Sequence, residues 1–296
     1  MPSEVDRQRS VTSAAEPPRA SAPDPELFES SSRVGLLASC RELWAFRELL
    51  WTLTVREVKV RYAQSLLGVA WAVAQPLALM ATFSLFFGRF AGISSDGLPY
   101  PLFSYTALLP WTFFTTSLAF GVPSLVTNTS LVTKVFFPRE ILPVASVLSA
   151  GVDFGAAVGV YGLLMALYRI QPSFALLYLL PLLVVQLVFT LAVTLFLSAV
   201  NVSYRDVRYA LPLVTQIWLY ATPVIYPLSV VPQAIRQPYL AVNPMAAIVD
   251  GYRRVLVVGS APDLPMLALS GLSSALLLLV SYSYFKRAER SFADVI

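Results

Sequence analysis

The sequence predicts an all-α integral membrane protein. It has six transmembrane helices, an N-terminal amphipathic interfacial helix and short re-entrant helices before the last span. Three observations carry that prediction. Of the 296 residues, 57% are hydrophobic and 13% are charged, about half the roughly 25% charge of an ordinary soluble protein. The charges are also unevenly spread: the windows 62–88, 97–133, 170–204, 209–235 and 264–285 hold none, and 141–168 holds only Asp153. Each window reaches the roughly 20 residues needed to cross a ~30 Å hydrocarbon layer at about 1.5 Å per residue. So many charge-free runs leave too little polar surface to cover a soluble fold.

Taken in order, residues 1–32 are rich in Ser, Pro, Ala and Glu and lack an apolar signal-peptide core. They read as the body of a disordered cytosolic tail assigned to 1–40. The segment 41–62 is expected to be the interfacial helix. Leu43, Phe46, Leu50 and Leu53 fall at helical spacing, Arg47, Glu48, Arg56, Glu57, Lys59 and Arg61 supply polar positions, and Trp44 and Trp51 suit a membrane surface. A cytosolic extension of the first span is the plainer alternative. The transmembrane domain occupies 63–288, with spans near 66–87, 102–126, 141–167, 174–200, 209–226 and 264–285. The fifth is short and carries Pro212, Pro223 and Pro227. After it, 227–263 reads as re-entrant or surface helices. Asp250, Arg253 and Arg254 lie on the polar side of an amphipathic stretch at 246–258. Residues 289–296 form a second cytosolic tail.

Basic residues orient the spans. With the N-terminus inside, the inner flanks hold Arg56, Lys59, Arg61, Lys134, Arg139, Arg205, Arg208, Lys286, Arg287 and Arg290. The outer loops hold only Arg89, Arg169, Arg236, Arg253 and Arg254. Both termini are therefore expected in the cytoplasm.

Several chemistries are excluded. The chain has no histidine and one cysteine, Cys40. It can form no Ser-His-Asp triad, no intrachain disulfide and no zinc site of several cysteines. Lys59 and Lys134 precede valine and Lys286 precedes arginine, so the phosphate-binding loop G-x-x-x-x-G-K-[ST] is absent. A transporter body powered by something else remains.

The stretch 50–76, LWTLTVREVKVRYAQSLLGVAWAVAQP, resembles the opening segment of the membrane subunits of type-2 ABC exporters. Further matches follow in order: KVFFPREILP at 134–143, NVSYRDVRY at 201–209, TPVIYP at 222–227, and Asn243 with Pro244 before the last span. Together they resemble the polysaccharide-exporter branch, which handles O-antigen, teichoic acid, capsule and galactan. The Ser/Pro/Ala-rich start is not part of that pattern. The resemblance implies a homodimer of six-span subunits in the bacterial cytoplasmic membrane, each with a separate cytosolic ABC ATPase. The ATPase would bind ATP and magnesium, so this chain is expected to carry no cofactor, no metal and no catalytic residue, and to bind no nucleic acid. The substrate would be a glycan on a polyprenyl diphosphate, reached among membrane lipids. A permease exporting a drug or a lipid is the alternative; an enzyme of lipid-linked sugar assembly and a scaffold are more distant ones.

Three groups of residues follow as candidate sites. The loop between the second and third spans carries an amphipathic piece, 131–137. Lys134, Phe136, Phe137, Pro138, Arg139 and Glu140 are expected to couple to the ATPase, with the two phenylalanines as apolar contacts. Arg56, Lys59 and Arg61, with Arg205 and Arg208, could attract the diphosphate, or simply fix topology. Sugars stack on aromatic rings, which nominates Phe83, Phe86, Phe87, Trp111, Phe113 and Phe114 for a glycan path. Trp218, Tyr220 and Tyr226 join them, although an ordinary interfacial belt is the simpler reading for any one ring. Asp153, mid-span, costs roughly 2.5–3.5 kcal/mol to insert unless it is paired. Gly151, Gly155 and Gly159 beside it form a small-residue ridge suited to helix packing, and a role along the glycan path is the other possibility.

Overall fold

The computed structural model describes residues 36–292, apart from 64, 66, 67 and 69. The tail expected at 1–32 and the last four residues lie outside the described residues. Within them every regular element is a helix and no strand occurs.

Helix α1 (Leu36–Ala45) begins inside the segment assigned to the tail. Phe46, at φ −94° and ψ 19°, separates it from α2 (Arg47–Tyr62). The segment expected to be the interfacial helix is thus two pieces joined at one residue. Helix α3 (Ala70–Phe83) contains Pro76 and continues as a π-helical segment, Ser84–Phe90. Helices α4 (Tyr100–Gly121), α5 (Ser124–Thr127) and α6 (Thr129–Lys134) follow. The long α7 (Ile141–Leu167) matches the third expected span residue for residue. A 3-10 turn, Phe174–Tyr178, leads into α8 (Leu179–Ser203), and α9 (Val207–Ala221) comes next. Two short helices, α10 (Gln233–Val242) and α11 (Pro244–Arg253), precede α12 (Leu264–Ala288).

Four helical segments are long and apolar enough to cross a membrane: Ala70–Phe90, Ile141–Leu167, Phe174–Ser203 and Leu264–Ser291. The other two expected spans differ for different reasons. Helix α4 has the length, at 22 residues, but carries Thr, Ser, Tyr and two prolines. It can do so because it is the central helix: it packs on α3, α7, α8, α9 and α11, and Leu102 to Leu109 are buried throughout. A helix covered by protein need not be as apolar as one facing lipid. It also stops at Gly121, short of the expected 126, and α5 begins beyond Pro123. Helix α9 is only 15 residues long, because Thr222 and Pro223 leave the helix.

Two apolar clusters organise the bundle. The larger joins α4 to α7, α8 and α11 around Tyr105, Phe114, Tyr161, Phe189 and Tyr252. Gly251 lets Leu182 lie directly on the α11 backbone, which brings the Tyr252 hydroxyl to Gln186 Oε1 at 2.6 Å. The second cluster sits at the end bearing Lys134, Arg139 and Lys286. There Leu53 packs with Phe137, Ile141, Leu142, Tyr282 and Phe285. Helix α2 lies alongside the first half of α7, so successive turns meet: Ser146 donates to Glu57 at 2.8 Å, and Arg61 reaches Ser149 and Asp153.

The amphipathic reading of 246–258 is corrected on one side. Helix α11 is buried almost throughout, and Arg253 is only 4% exposed. Its guanidinium donates to the carbonyls of Pro223 and Val224 at 2.6 Å each, Tyr226 at 3.2 Å and Phe103 at 3.3 Å. The Phe103 ring lies 3.5 Å below it. The broken segment 222–227 lacks helical partners for its carbonyls, and buried carbonyls need donors. Arg253 supplies them. Gly259, at φ 72°, then ends the helical run.

Candidate functional site

The candidate site begins where α2 meets α7. Asp153 lies 12 residues into α7, about 18 Å along the helix. Arg61 Nη1 donates to its carboxylate at 2.5 Å, and Nη2 donates to the Ser149 hydroxyl at 2.8 Å. The Tyr62 hydroxyl donates to the other carboxylate oxygen. The Phe120 ring lies 3.8 Å from the guanidinium carbon. The side chains of Arg61 and Asp153 are 9% and 14% exposed. Burial, reinforced by the carboxylate, pushes the Tyr62 hydroxyl up to about 12, so it stays a donor at neutral pH. Within one chain the small-residue ridge touches no other helix: a Cβ at Gly151, Gly155 or Gly159 would meet nothing within 4 Å. The ion pair, rather than the glycines, ties Asp153 down.

Beside this pair is a cavity of about 320 Å³ among α2, α3, α4 and α7, bounded by Arg61, Gln75, Thr112, Thr116, Phe113 and Asp153. A second, of about 330 Å³, lies among α3, α4 and α9, bounded by Phe83, Trp111, Gln216, Leu219 and Tyr220. Gln75, Thr112 and Thr115 line both, so the two are neighbours across these side chains. Their surface combines rings with neutral amides and hydroxyls, the chemistry that sugars use.

The structure divides the expected path residues. Phe83, Trp111 and Tyr220 line the second cavity, and Phe113 and Asp153 the first. Phe114 lines neither: it is fully buried, stacked on Phe189 at 5.4 Å and edge-on to Trp218. Trp218 itself donates to Asn243 Oδ1 at 3.1 Å. Phe86, with its ring against exposed Phe90, Phe87 against Phe83, and Tyr226, which donates to the Tyr220 carbonyl, also border neither cavity. Sequence reasoning missed the polar lining. Thr112, Thr115 and Thr116 share one helical face at i, i+3 and i+4, and Gln75 and Gln216 are amides in charge-free windows. That pattern was available to find them.

The basic residues also separate. Arg56 and Lys59 are exposed on α2, and Arg56 reaches the Asn128 side chain. Arg205 and Arg208 are exposed at the turn between α8 and α9, with Arg208 over the Tyr209 ring at 4.6 Å. Of these five basic residues, Arg61 is the one that borders either of the two cavities.

The loop at 127–141 is likewise split. Helix α6 ends at Lys134, not at 137. Phe136 is 88% exposed, with Val135 and Lys134 also exposed. Phe137 and Pro138 are buried, so the two phenylalanines do not form one outward surface. Beyond the end of α6 the chain turns, and Phe137 packs into the cluster around Leu53 and Phe285. Glu140 is 1% exposed and pairs with Lys286 at 2.8 Å. Burial pushes its carboxyl above the usual range even against that ammonium. Arg139 donates from its backbone N to the Glu289 carboxylate at 3.2 Å and from Nη1 to the Glu289 carbonyl at 2.5 Å. The loop is therefore strapped to the end of α12, with Lys134, Val135 and Phe136 left outside.

Among the described residues no group of His, Cys, Asp and Glu could hold a metal ion. A family model described as ABC-2 type transporter matches residues 48–257. The chain is 34% identical over 259 residues to an O-antigen export system permease protein RfbA from Myxococcus xanthus, covering 86% of this chain and 98% of that protein. It is 26% identical over 250 residues to an O-antigen export system permease protein RfbA from Klebsiella pneumoniae, covering 84% and 95%. It is 22% identical over 212 residues to the polysialic acid transport protein KpsM from Escherichia coli, covering 70% and 80%.

Proposed function

The chain belongs to the ABC-2 type transporter family, and from that premise we propose that it is the membrane subunit of an ATP-driven polysaccharide exporter. Its substrate would be a glycan on a polyprenyl diphosphate, such as O-antigen or cell-wall galactan. It would work as a homodimer with two copies of a cytosolic ATPase, which bind the ATP and magnesium. On this reading the chain crosses the bacterial cytoplasmic membrane six times, with α4 and α9 joining the four long apolar segments. Both termini lie inside, and α10 and α11 re-enter from outside.

The observation that carries the proposal is the double cavity. Arg61, a cation, borders the first cavity, and threonines, glutamines and rings lie between it and Tyr220 in the neighbouring second. A charged head is met first and an uncharged, ring-stacking chain afterwards, in the order of a lipid-linked glycan. The names of the relatives point the same way.

Coupling is assigned to the exposed tip formed by Lys134, Val135 and Phe136. The buried neighbours Phe137, Pro138 and Glu140, with half-buried Arg139, carry its displacement to α12 and α7. Arg56, Lys59, Arg205 and Arg208 concentrate anionic heads at the inner surface.

The test is reconstitution. Vesicles holding this chain and its ATPase should move a polyprenyl-diphosphate glycan across the bilayer in the presence of ATP and magnesium, and not without them. Transfer that is independent of ATP, or equal transfer of a simple phospholipid, would contradict the proposal.

A further inference from the structure

We infer that the Asp153 carboxylate is a resident occupant of an anion seat, and that the diphosphate of a polyprenyl lipid takes Arg61 from it. This rests on the reading that the substrate's lipid carries a diphosphate. Arg61 is nine-tenths buried, yet its hydrogen bonding is incomplete. Nη1 and Nη2 have partners, but the buried Nε has none. A guanidinium offers five donors in a fixed fork, and carboxylates commonly engage it through two parallel bonds. Asp153 makes a single-ended contact instead. The unpartnered donor belongs to a side chain that borders the 320 Å³ cavity, which is roomy compared with the roughly 30 Å³ share of one water.

The surroundings suit an exchange. The Phe120 face and the Ser149 hydroxyl hold the guanidinium independently of Asp153. The Tyr62 hydroxyl stays on Asp153, so a displaced carboxylate keeps one donor. A diphosphate brings more negative charge and more acceptor oxygens than a carboxylate, and can engage both terminal nitrogens at once. With the seat otherwise empty, a buried cation would stand alone, which is costly. Asp153 removes that cost. It also sets a threshold: the singly charged phosphodiester of a bulk phospholipid must compete with a carboxylate already in place, and a ligand shifts such an equilibrium only by its difference in affinity.

The experiment uses the full chain in nanodiscs. Undecaprenyl diphosphate is titrated as the probe, phosphatidylglycerol is a separate arm, and thermal unfolding is measured for every variant. Arg61→Gln should weaken diphosphate binding tenfold or more, and Arg61→Lys by less. Asp153→Asn should tighten it several-fold and let phosphatidylglycerol compete, which it does not do in the wild type. Tyr62→Phe keeps both charges and should weaken diphosphate binding about threefold, so it serves if Asp153→Asn does not fold. Unchanged binding in Arg61→Gln, or weaker binding in a folded Asp153→Asn, overturns the seat. Phosphatidylglycerol binding as well as the diphosphate in the wild type overturns its selectivity. Polysaccharide export by cells is scored separately. Export that persists while these variants leave diphosphate binding unmoved sinks the seat alone. No export and no diphosphate binding by the wild type sinks both readings.

Discussion

Arg253 and Arg61 are both arginines buried in an apolar bundle, and they are neutralised in opposite ways. Arg253 is enclosed by four backbone carbonyls and the Phe103 ring, which use its fork from every side. Arg61 has one carboxylate, one hydroxyl and a ring, with a buried donor unused beside a cavity. The first is saturated by groups that cannot leave, since they belong to the chain's own backbone. The second is held by a side chain that can be replaced. A buried cation is thus not one kind of feature: its unused donors separate a structural part from a receptive one.

That contrast predicts an order of effects. Arg253→Leu should cost the most, on the order of 4 kcal/mol, because it orphans several buried carbonyls at once. Arg253→Lys should recover little, since an ammonium lacks the planar fork; unfolding temperatures of the two variants in detergent check both. If the lysine variant proved as stable as the wild type, the carbonyl cage would not depend on guanidinium geometry. Arg61→Gln should cost less, about 1–3 kcal/mol, because Asp153 keeps the Tyr62 hydroxyl and the cavity admits water. A loss as large as that of Arg253→Leu would place both arginines in the same structural class. Glu140→Gln should cost about 1–2 kcal/mol, since Lys286 retains Glu289 at 3.0 Å. It should also loosen the strap on the loop, read as faster amide exchange over 134–140. Phe136→Asp should leave stability within about 0.5 kcal/mol, as for other exposed sites, yet abolish co-purification of the ATPase. Retained co-purification would remove Phe136 from the coupling surface.

Much of this architecture was legible in the sequence. The third expected span returned as α7 without adjustment, and the first, fourth and sixth as long apolar segments, because membrane-crossing helices must keep charge off their lipid-facing sides. Helix α4 was found as a gap in charge, but its Thr and Tyr content hid that it is the central helix. Coverage by neighbours is a tertiary property, and no window in one helix reports it. The site was legible in part. Phe136 and Phe137 are adjacent letters with opposite fates, decided by how the chain turns after α6 and which ring meets the cluster of Leu53, Ile141 and Phe285. Arg253 was read onto a polar face because amphipathic spacing assumes that a charge seeks water. Its true partners were signalled by Pro223 and Pro227, which break a span and leave carbonyls in need of a donor. The pairing of Arg61 with Asp153 joins residues far apart in sequence and needed the fold, although a lone aspartate inside an apolar window already asked for a cation.

On the six-span topology proposed above, helix α9 carries a last consequence. Fifteen residues rise about 22 Å, roughly 8 Å less than a ~30 Å hydrocarbon layer. A lone helix that short would thin the bilayer or sink into it, at a cost for each ångström of mismatch. Here Thr222 to Ile225 continue beyond the helix as buried chain, so protein rather than lipid completes the depth. Membrane thickness is then gauged by α3 with its π-helical continuation to Phe90, and by α7, α8 and α12. Helix α9, whose Gln216 and Tyr220 line the second cavity, is released from that constraint and can tilt against the path without dragging the bilayer with it.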